Sequence, residues 1–198
     1  MIDHKRFERI IIGFLLLIAI GVAALYISDA NTPFSGEGRL DIGGYSLYIK
    51  SEGEGSPTVV FETDIGGNYM DWSLVREEIK TETRTVAYDR AGIRQSDKSP
   101  LPRTSEQKAA ELHRLLKKAR IKPPYILVAE GYGGFTARVF ASKYPKEVAG
   151  IILVNPIGEK SLKVIEQYLT KGELEEIKAG LKEHVKQAGK YSQDGSYD

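Results

Sequence analysis

The longest apolar stretch of the chain lies near its N-terminus. Ile10–Ile27 reads IIIGFLLLIAIGVAALYI and carries no charged or strongly polar side chain. A helix of this length rises about 27 Å, which is close to the hydrocarbon thickness of a bilayer. Lys5, Arg6 and Arg9 precede the stretch, so the positive-inside rule predicts a cytoplasmic N-terminus and an extracytoplasmic domain after it. We therefore predict a basic stub and a single-pass transmembrane signal-anchor helix within residues 1–30.

Two other interpretations of this stretch stay open. A cleavable signal peptide usually has an apolar core of about 7–15 residues before a small-x-small site, and Ser28-Asp29-Ala30 is a poor version of that site. A buried helix of a soluble domain is disfavoured by the length of the run. Residues 31–38 (NTPFSGEG) are rich in turn formers and predict a linker.

From Arg39 onward, short strand patterns and helix patterns alternate, which is typical of an α/β fold. Two runs, YILVA and GIILV, are continuously apolar, as in strands buried on both faces of a parallel sheet. The predicted strands are Tyr45–Lys50, Thr58–Thr63, Arg84–Tyr88, Tyr125–Ala129 and Gly150–Val154. The predicted helices, which lie between them, are Asp71–Lys80, Thr104–Arg120 and Gly133–Tyr144.

Helical spacing also predicts which faces are buried. In the first helix we expect Trp72, Val75 and Ile79 to share one face. Thr104 with Gln107 resembles a capping box at the start of the second helix. That helix carries one apolar stripe, made of Ala109, Leu112, Leu115, Leu116 and Ala119.

Composition removes several classes of function. The 198 residues include 28 Lys and Arg against 27 Asp and Glu, a net charge of +1, so we predict no nucleic-acid partner. The chain has no cysteine, which excludes disulfides, thiolate catalysis and cysteine-based zinc sites. The three histidines, His4, His113 and His184, lie far apart, and we predict no metal site.

The strand YILVA runs through Glu130-Gly131-Tyr132-Gly133-Gly134 directly into a helix. A tight strand-to-helix turn of this kind needs small neighbours so that the two elements can approach. From these residues on, the chain resembles the α/β-hydrolase superfamily over about Arg39–Pro156. Asp89–Gly92 with Ser96-Asp97 resembles the family's DRAGxGxSD loop, and Phe61–Gly67 (FETDIGG) resembles its oxyanion strand and loop.

The resemblance implies a nucleophile elbow, but the nucleophile is replaced. The family's Gly-x-Ser-x-Gly reads Ala129-Glu130-Gly131-Tyr132-Gly133 here, and glycine has no side chain to attack a carbonyl. Neither His113 nor His184 matches the family's histidine. We therefore expect residues 39–157 to form a partial core that is incomplete on its C-terminal side. We expect residues 158–198 to form a charged helical tail that resembles the start of the family's cap.

Several residues near the elbow are candidates for a site. The resemblance implies oxyanion-hole amides at Tyr132 and Ile65, while Glu130 is a possible general base or does nothing. The candidates for the pocket are Asp64, Gly66, Gly67 and Trp72, each of which has an alternative reading as a turn or core residue. Gly131-x-Gly133 lacks the third glycine of a dinucleotide fingerprint, since Thr136 stands there, and we predict no cofactor.

Three interpretations of function follow. The leading one is a membrane-anchored, extracytoplasmic α/β-hydrolase-fold protein without catalytic activity of its own, a pseudoenzyme or truncated hydrolase. The alternative is a hydrolase of esters or amides, completed by a second chain that carries the acid and the histidine. In the third, Gly131 is an engineered replacement of serine. An open edge at GIILV also predicts a protein partner or self-association.

Overall fold

The computed structural model describes residues 12–23, 32–158 and 167–180. The chain divides into two units, Met1–Pro33 and Phe34–Asp198. In the first unit, residues 12–23 form a helix, α1, inside the predicted anchor. The rest of the predicted anchor, residues 10–11 and 24–27, lies outside the described residues. Within the described ranges, no helix has the length and apolar character needed to cross a membrane.

The second unit is built on one sheet. Its six strands are β1 (Gly36–Asp41), β2 (Ser46–Glu52), β3 (Thr58–Glu62), β4 (Thr85–Tyr88), β5 (Tyr125–Glu130) and β6 (Val148–Val154). They lie in the order β1-β2-β4-β3-β5-β6. The last four strands of this order pair in parallel, whereas β1 and β2 are antiparallel to their neighbours. The predicted mostly parallel sheet is therefore confirmed.

Helices cover both faces of the sheet. They are α2 (Ser73–Ile79), α3 (Ser105–Lys118) and α4 (Gly133–Lys143); residues 171–180 form a further helix, α5. Side chains alternate along each strand, so Val60 of β3 joins the core cluster under α3 and α4, while Val59 and Phe61 join the one beside α2. The apolar runs thus fill two cores, one on each face.

The start of α3 follows its sequence signal. The Thr104 hydroxyl accepts a hydrogen bond from the Gln107 backbone N–H at 3.2 Å. The Gln107 side chain does not complete the box, because it donates instead to Glu111 and Tyr45. The predicted stripe of α3 is buried throughout.

The chain before β2 differs from the prediction. Strand β1 begins at Gly36, inside the predicted linker of residues 31–38, and pairs with β2 along its full length. Its sequence, GEGRLD, has no apolar pattern because β1 is an edge strand with mostly exposed side chains. A tight turn at Gly43-Gly44 joins β1 to β2, and both glycine amides donate to Asp41 Oδ1, at 2.8 and 3.0 Å.

Helix α2 is shorter than predicted, and its buried face is different. Trp72 and Ile79 pack into the core as expected, but Val75 is 45% exposed. Arg76 is buried instead, with its guanidinium 3.4 Å from Glu52 on β2. An ion pair with a strand therefore sets the rotation of α2, which apolar spacing could not reveal.

Strand β6 corrects a second expectation. It is not buried on both faces: Ile152 is 53% exposed, Leu153 38% and Val154 40%. The reason is its position as the outermost strand of the described sheet, paired only with β5. An apolar strand with one unpaired edge is open to pairing with other chains.

The predicted charged tail is described only in part. Helix α5 begins with a reciprocal capping box, in which the Thr170 N–H donates to Glu173 Oε2 at 2.8 Å and the Glu173 N–H donates to Thr170 Oγ1 at 3.4 Å. Leu174 is half-buried and Ile177 is 37% exposed. The rest of the predicted tail, residues 159–166 and 181–198, lies outside the described residues.

We predict that Thr104→Ala lowers the free energy of unfolding by about 1 kcal/mol, because it removes the hydroxyl that caps α3. Thr104→Ser keeps the hydroxyl and should lie close to the unchanged chain. Urea unfolding followed by circular dichroism measures both variants. An equal loss of unfolding free energy in Thr104→Ala and Thr104→Ser would contradict a capping role for the Thr104 hydroxyl.

Candidate functional site at the strand–helix elbow

The site is created by the register between β3 and β5. Glu62 lies opposite Ala129 in this parallel pair, so two residues further along each chain Asp64 comes opposite Gly131. Both strands end at the same edge of the sheet. The loop that follows β3 and the turn that leads into α4 therefore meet there.

The turn at Gly131 is tight, as the sequence predicts. Gly131 has a φ of +50°, in the left-handed region that side chains disfavour. Its N–H donates to the Val154 carbonyl of β6 at 3.0 Å, and its carbonyl accepts from the Gly134 N–H at 3.2 Å. A Cβ at Gly133 would lie 2.8 Å from Glu62 Cγ, so glycine is needed for α4 to approach β3.

The Asp64 carboxylate occupies the space in front of Gly131. A Cβ added at Gly131 would lie 2.5 Å from Asp64 Oδ1 and 2.6 Å from Oδ2, well inside van der Waals contact. The Tyr132 backbone N–H donates to Asp64 Oδ1 at 2.7 Å. The carboxylate thus fills the place of an elbow side chain and uses the amide predicted for an oxyanion hole.

The second predicted oxyanion amide is at Ile65. Among the hydrogen bonds of the described residues, none is donated by the Ile65 N–H. The Gly67 N–H donates to the Asp64 carbonyl at 3.1 Å, and Gly66 takes a φ of +76°, so these residues form a tight turn after β3. An oxyanion role for Ile65 and Tyr132 stays a prediction.

Glu130 lies half-buried at the end of β5, next to the elbow. Burial raises the pKa of its carboxyl above the ordinary value, and the nearby Asp64 and Asp71 carboxylates raise that pKa further. Like charges gathered at one edge make proton uptake easier. This is the electrostatic setting of a general base, a role that stays a prediction for Glu130.

Trp72, the last of the predicted pocket residues, lies in the core. It is 8% exposed, and its ring centroid is 5.1 Å from that of Phe61. Its large side chain packs in the core cluster beside α2, which agrees with the alternative prediction of a core residue.

Sequence reasoning missed a buried ion pair below the elbow. The side chains of Glu62 and Arg90 are 2% and 6% exposed, and Glu62 Oε1 lies 3.2 Å from Arg90 Nη1. The Tyr88 hydroxyl donates to the other carboxylate oxygen of Glu62. Burial raises the pKa of the Glu62 carboxyl, while Arg90 and Tyr88 oppose the shift. Arg90 also donates to the Asp64 carbonyl, so the pair holds the loop that carries Asp64.

Sequence reasoning also missed Lys108, on the first turns of α3. Its Nζ lies 4.6 Å from the centroid of the Tyr132 ring, in a cation–π arrangement. The available signal was its spacing: Lys108 precedes Leu112 by four residues, so it belongs to the buried face of the helix.

Comparison with known proteins agrees with this geometry. Residues 58–175 match the family described as alpha/beta hydrolase fold, which is more than half of the chain. This chain therefore belongs to the α/β-hydrolase family. The sheet with helices on both faces and the strand–helix elbow are consistent with that membership.

Three relatives illustrate the range of the match. The uncharacterized protein YqjL of Bacillus subtilis is 36% identical over 105 residues, which cover 53% of this chain and 42% of YqjL. An uncharacterized vacuolar membrane protein of Saccharomyces cerevisiae is 32% identical over 70% of this chain and 21% of its own length. The structure of Cfl2 from Burkholderia cenocepacia superposes with a TM-score of 0.58, at 25% identity, covering 63% of this chain and 46% of Cfl2. The chain thus spans less than half the length of these proteins.

We predict that Gly131→Ser lowers the free energy of unfolding by about 2–4 kcal/mol, through left-handed strain and loss of the charged hydrogen bond to the Tyr132 amide. Serine can enter only by driving the Asp64 carboxylate away. In the Gly131→Ser variant, Asp64→Ala should therefore change the free energy of unfolding very little. In the unchanged chain, Asp64→Ala removes the hydrogen bond to the Tyr132 amide and should be destabilising. Chemical unfolding of the two single variants and the double variant measures the coupling.

Gly150→Ser is the matched control, because a Cβ at Gly150 meets no atom within 4 Å and its φ is not positive. Gly150→Ser should lower the free energy of unfolding less than Gly131→Ser does. Additive effects of Gly131→Ser and Asp64→Ala would show that the two positions do not compete for one space.

Proposed function

We propose that this α/β-hydrolase-fold protein has no catalytic activity of its own and acts by binding at the elbow. The observation that carries the proposal is the Asp64 carboxylate, which lies against Gly131 and accepts a hydrogen bond from the Tyr132 N–H. A member of this fold that keeps the elbow turn but fills it with its own carboxylate is a pseudoenzyme.

Serine-type acyl transfer needs two things at an elbow. It needs a nucleophilic oxygen, and it needs free amides that stabilise the oxyanion of the tetrahedral intermediate. Gly131 provides no oxygen, and the carboxylate on the Tyr132 amide would repel a second anion. His113, the histidine within the described residues, stacks on Tyr144 at 3.7 Å and contacts Glu147 at 3.3 Å, so its partners are structural.

We predict that the full chain in detergent hydrolyses p-nitrophenyl acetate and butyrate no faster than the heat-denatured chain, with no pre-steady-state burst. Gly131→Ser should remain inactive, because His113, the histidine within the described residues, is held against Tyr144 and Glu147 and is not placed to activate the new hydroxyl. Release of p-nitrophenolate measures both.

Saturable turnover by the unchanged chain would contradict the proposal. Glu130→Gln then identifies the route: loss of that turnover would mean that Glu130 activates water directly, without an acyl-enzyme. Appreciable turnover by Gly131→Ser would show that another side chain activates the new hydroxyl, and it would contradict a chain without catalytic groups of its own.

A second candidate function is a hydrolase of esters or amides completed by another chain. The position of β6 as the outermost strand of the described sheet favours it, because an unpaired strand edge can pair with another chain. The apolar side chains of β6 are also exposed, led by Ile152 at 53%. Native extraction followed by intact-mass measurement tests this candidate. A stoichiometric second chain that confers esterase activity would support it, whereas a 22.0 kDa species alone would oppose it.

We also propose that the N-terminal segment anchors the protein in a membrane, with the α/β unit on the extracytoplasmic side. The uncharged run Ile10–Ile27 and the basic residues before it support this orientation. The side chains of α1 support it too, since residues 12–23 carry no polar side chain. The yeast relative is named as a vacuolar membrane protein, which agrees with a membrane location.

We predict that the full chain stays in the membrane pellet after alkaline carbonate extraction, and that protease added outside intact cells or spheroplasts digests the α/β unit. Replacing Leu15, Leu16 and Leu17 by Asp should release the chain, because charges are expensive in hydrocarbon. Release of the unchanged chain by carbonate, or protection from external protease, would contradict the proposal.

A further inference from the structure

Exposed basic residues gather at the edge of the sheet opposite the elbow. Between Glu111 and Glu130 the chain carries five Lys and Arg residues and no Asp or Glu. Lys118, Arg120 and Lys122 of this segment are exposed, and they follow one another at the end of α3 and in the turn before β5. A cluster of this kind has a positive potential that attracts anions.

The register between β5 and β6 adds a fourth cation to this cluster. Tyr125, the first residue of β5, lies opposite Val148, the first residue of β6. The Tyr125 N–H also donates to the Glu147 carbonyl at 2.8 Å, so the exposed Lys146 lies at the same edge of the sheet as Lys122. We call these four exposed residues the basic edge: Lys118, Arg120, Lys122 and Lys146.

Helix ends explain only part of this cluster. Basic residues in a last turn offset the helix dipole, which accounts for Lys118, but the other three residues of the basic edge lie outside the helices. Glu147 is the one acidic residue in segments 112–129 and 142–148. It pairs with Lys117 at 3.0 Å, a residue that is not part of the basic edge. The cations of these two segments therefore outnumber their acids.

The backbone at Arg120 is a second, independent observation. Arg120 has a φ of +55°. Its N–H donates to the Lys117 carbonyl at 3.0 Å, and the Ile121 N–H donates to the Leu116 carbonyl at 3.0 Å. Glycine is the usual residue at this position of a helix end, because a side chain there is strained. An arginine in a glycine position points to a use for its side chain.

The chain enters the α/β unit at this same edge. The Phe34 N–H donates to the Ala119 carbonyl at 2.8 Å, at the end of α3. With the proposed anchor ending at Ile27, seven Cα steps lead to Phe34 and reach at most about 25 Å. The proposed anchor therefore keeps the basic edge within reach of lipid headgroups.

We propose that the basic edge docks the α/β unit on the anionic lipid headgroups of the membrane, so that the elbow opens away from the bilayer. The inference rests on the proposed membrane anchor and goes beyond it by naming the docking surface and the lipid chemistry. The elbow follows the other end of β5, about 17 Å from Tyr125 at 3.3 Å per residue. A ligand of the elbow then comes from the aqueous phase.

Energy transfer from a dye on the protein to dye-labelled lipid tests the docking. The chain has no cysteine, so Ser142→Cys labels the last turn of α4 near the basic edge, and Met70→Cys labels the elbow edge, both at exposed positions. The full chain is assembled into nanodiscs of phosphatidylcholine with or without phosphatidylglycerol. We expect phosphatidylglycerol to raise the transfer at position 142 more than at position 70. Salt at 1 M should abolish the increase, because the Debye length is then about 3 Å.

Charge variants test which residues dock. Lys118→Gln combined with Lys122→Gln should reduce the ratio of docked to undocked units about 25-fold, since each cation near an anionic surface contributes about fivefold. The matched control is Lys98→Gln combined with Lys171→Gln, which removes two exposed lysines outside the basic edge and should leave the transfer unchanged. Arg120→Gly suits the backbone and should weaken docking about fivefold while the chain stays folded, which thermal unfolding checks.

Three results would overturn the docking surface. They are equal transfer in discs with and without phosphatidylglycerol, a larger rise at Met70 than at Ser142, and equal losses in the two pairs of lysine variants. Displacement of the unit by duplex DNA at an equal concentration of phosphate would assign the basic edge to nucleic acid and would also overturn the proposal.

Failure of the proposed anchor is seen separately. A chain that does not assemble into discs of phosphatidylcholine alone would overturn the anchor. The labelled chain added to phosphatidylglycerol vesicles then still tests the basic edge, through the same transfer and the same charge variants.

Discussion

Five residue pairs join β3 to β5 in parallel, from Thr58 opposite Tyr125 to Glu62 opposite Ala129. This register brings the carboxyl ends of both strands to one edge and sets Asp64 opposite Gly131. The buried Glu62–Arg90 pair lies directly below and ties the loop in place. Removing one partner would leave an uncompensated buried charge, which is much more harmful than losing both. The shape of the elbow therefore depends on strand register and on one ion pair beneath it.

Charges of opposite sign lie on the two sides of Tyr132. The Asp64 carboxylate binds its backbone amide, with Glu130 close by, while the Lys108 ammonium lies over its ring. The elbow therefore carries a negative group at the Tyr132 backbone amide and a positive group over the Tyr132 ring.

Long apolar and strongly periodic segments were predictable from the sequence. Strands β3 to β5, helices α3 and α4 and the turn at Gly131 follow from local spacing and small residues. Strand β1 was not predictable, because it forms through pairing with β2 and has no apolar pattern. The exposure of β6 depends on its place in the strand order, which no local pattern encodes.

Only the part of the candidate site that is formed by residues adjacent in the sequence was predictable. Gly131, Glu130 and Tyr132 are neighbours in the chain, and their elbow could be identified from the motif. The contact between Asp64 and Gly131 joins positions 67 residues apart and depends on register, so the sequence suggested Asp64 only as a pocket or turn residue. Lys108 has the spacing of a buried face but the chemistry of a surface residue, and its position beside Tyr132 appears only after α3 and α4 are packed.

The crowding of Asp64 against Gly131 also governs which evolutionary paths are open to this elbow. A serine that arises at position 131 while Asp64 is present meets an occupied site and is selected against on stability. Loss of the Asp64 carboxylate must come first, and by itself that change leaves the Tyr132 amide without its acceptor. A serine elbow therefore needs two substitutions, the first of them unfavourable. Coupling of this kind separates the glycine elbow from a serine elbow by more than one independent step.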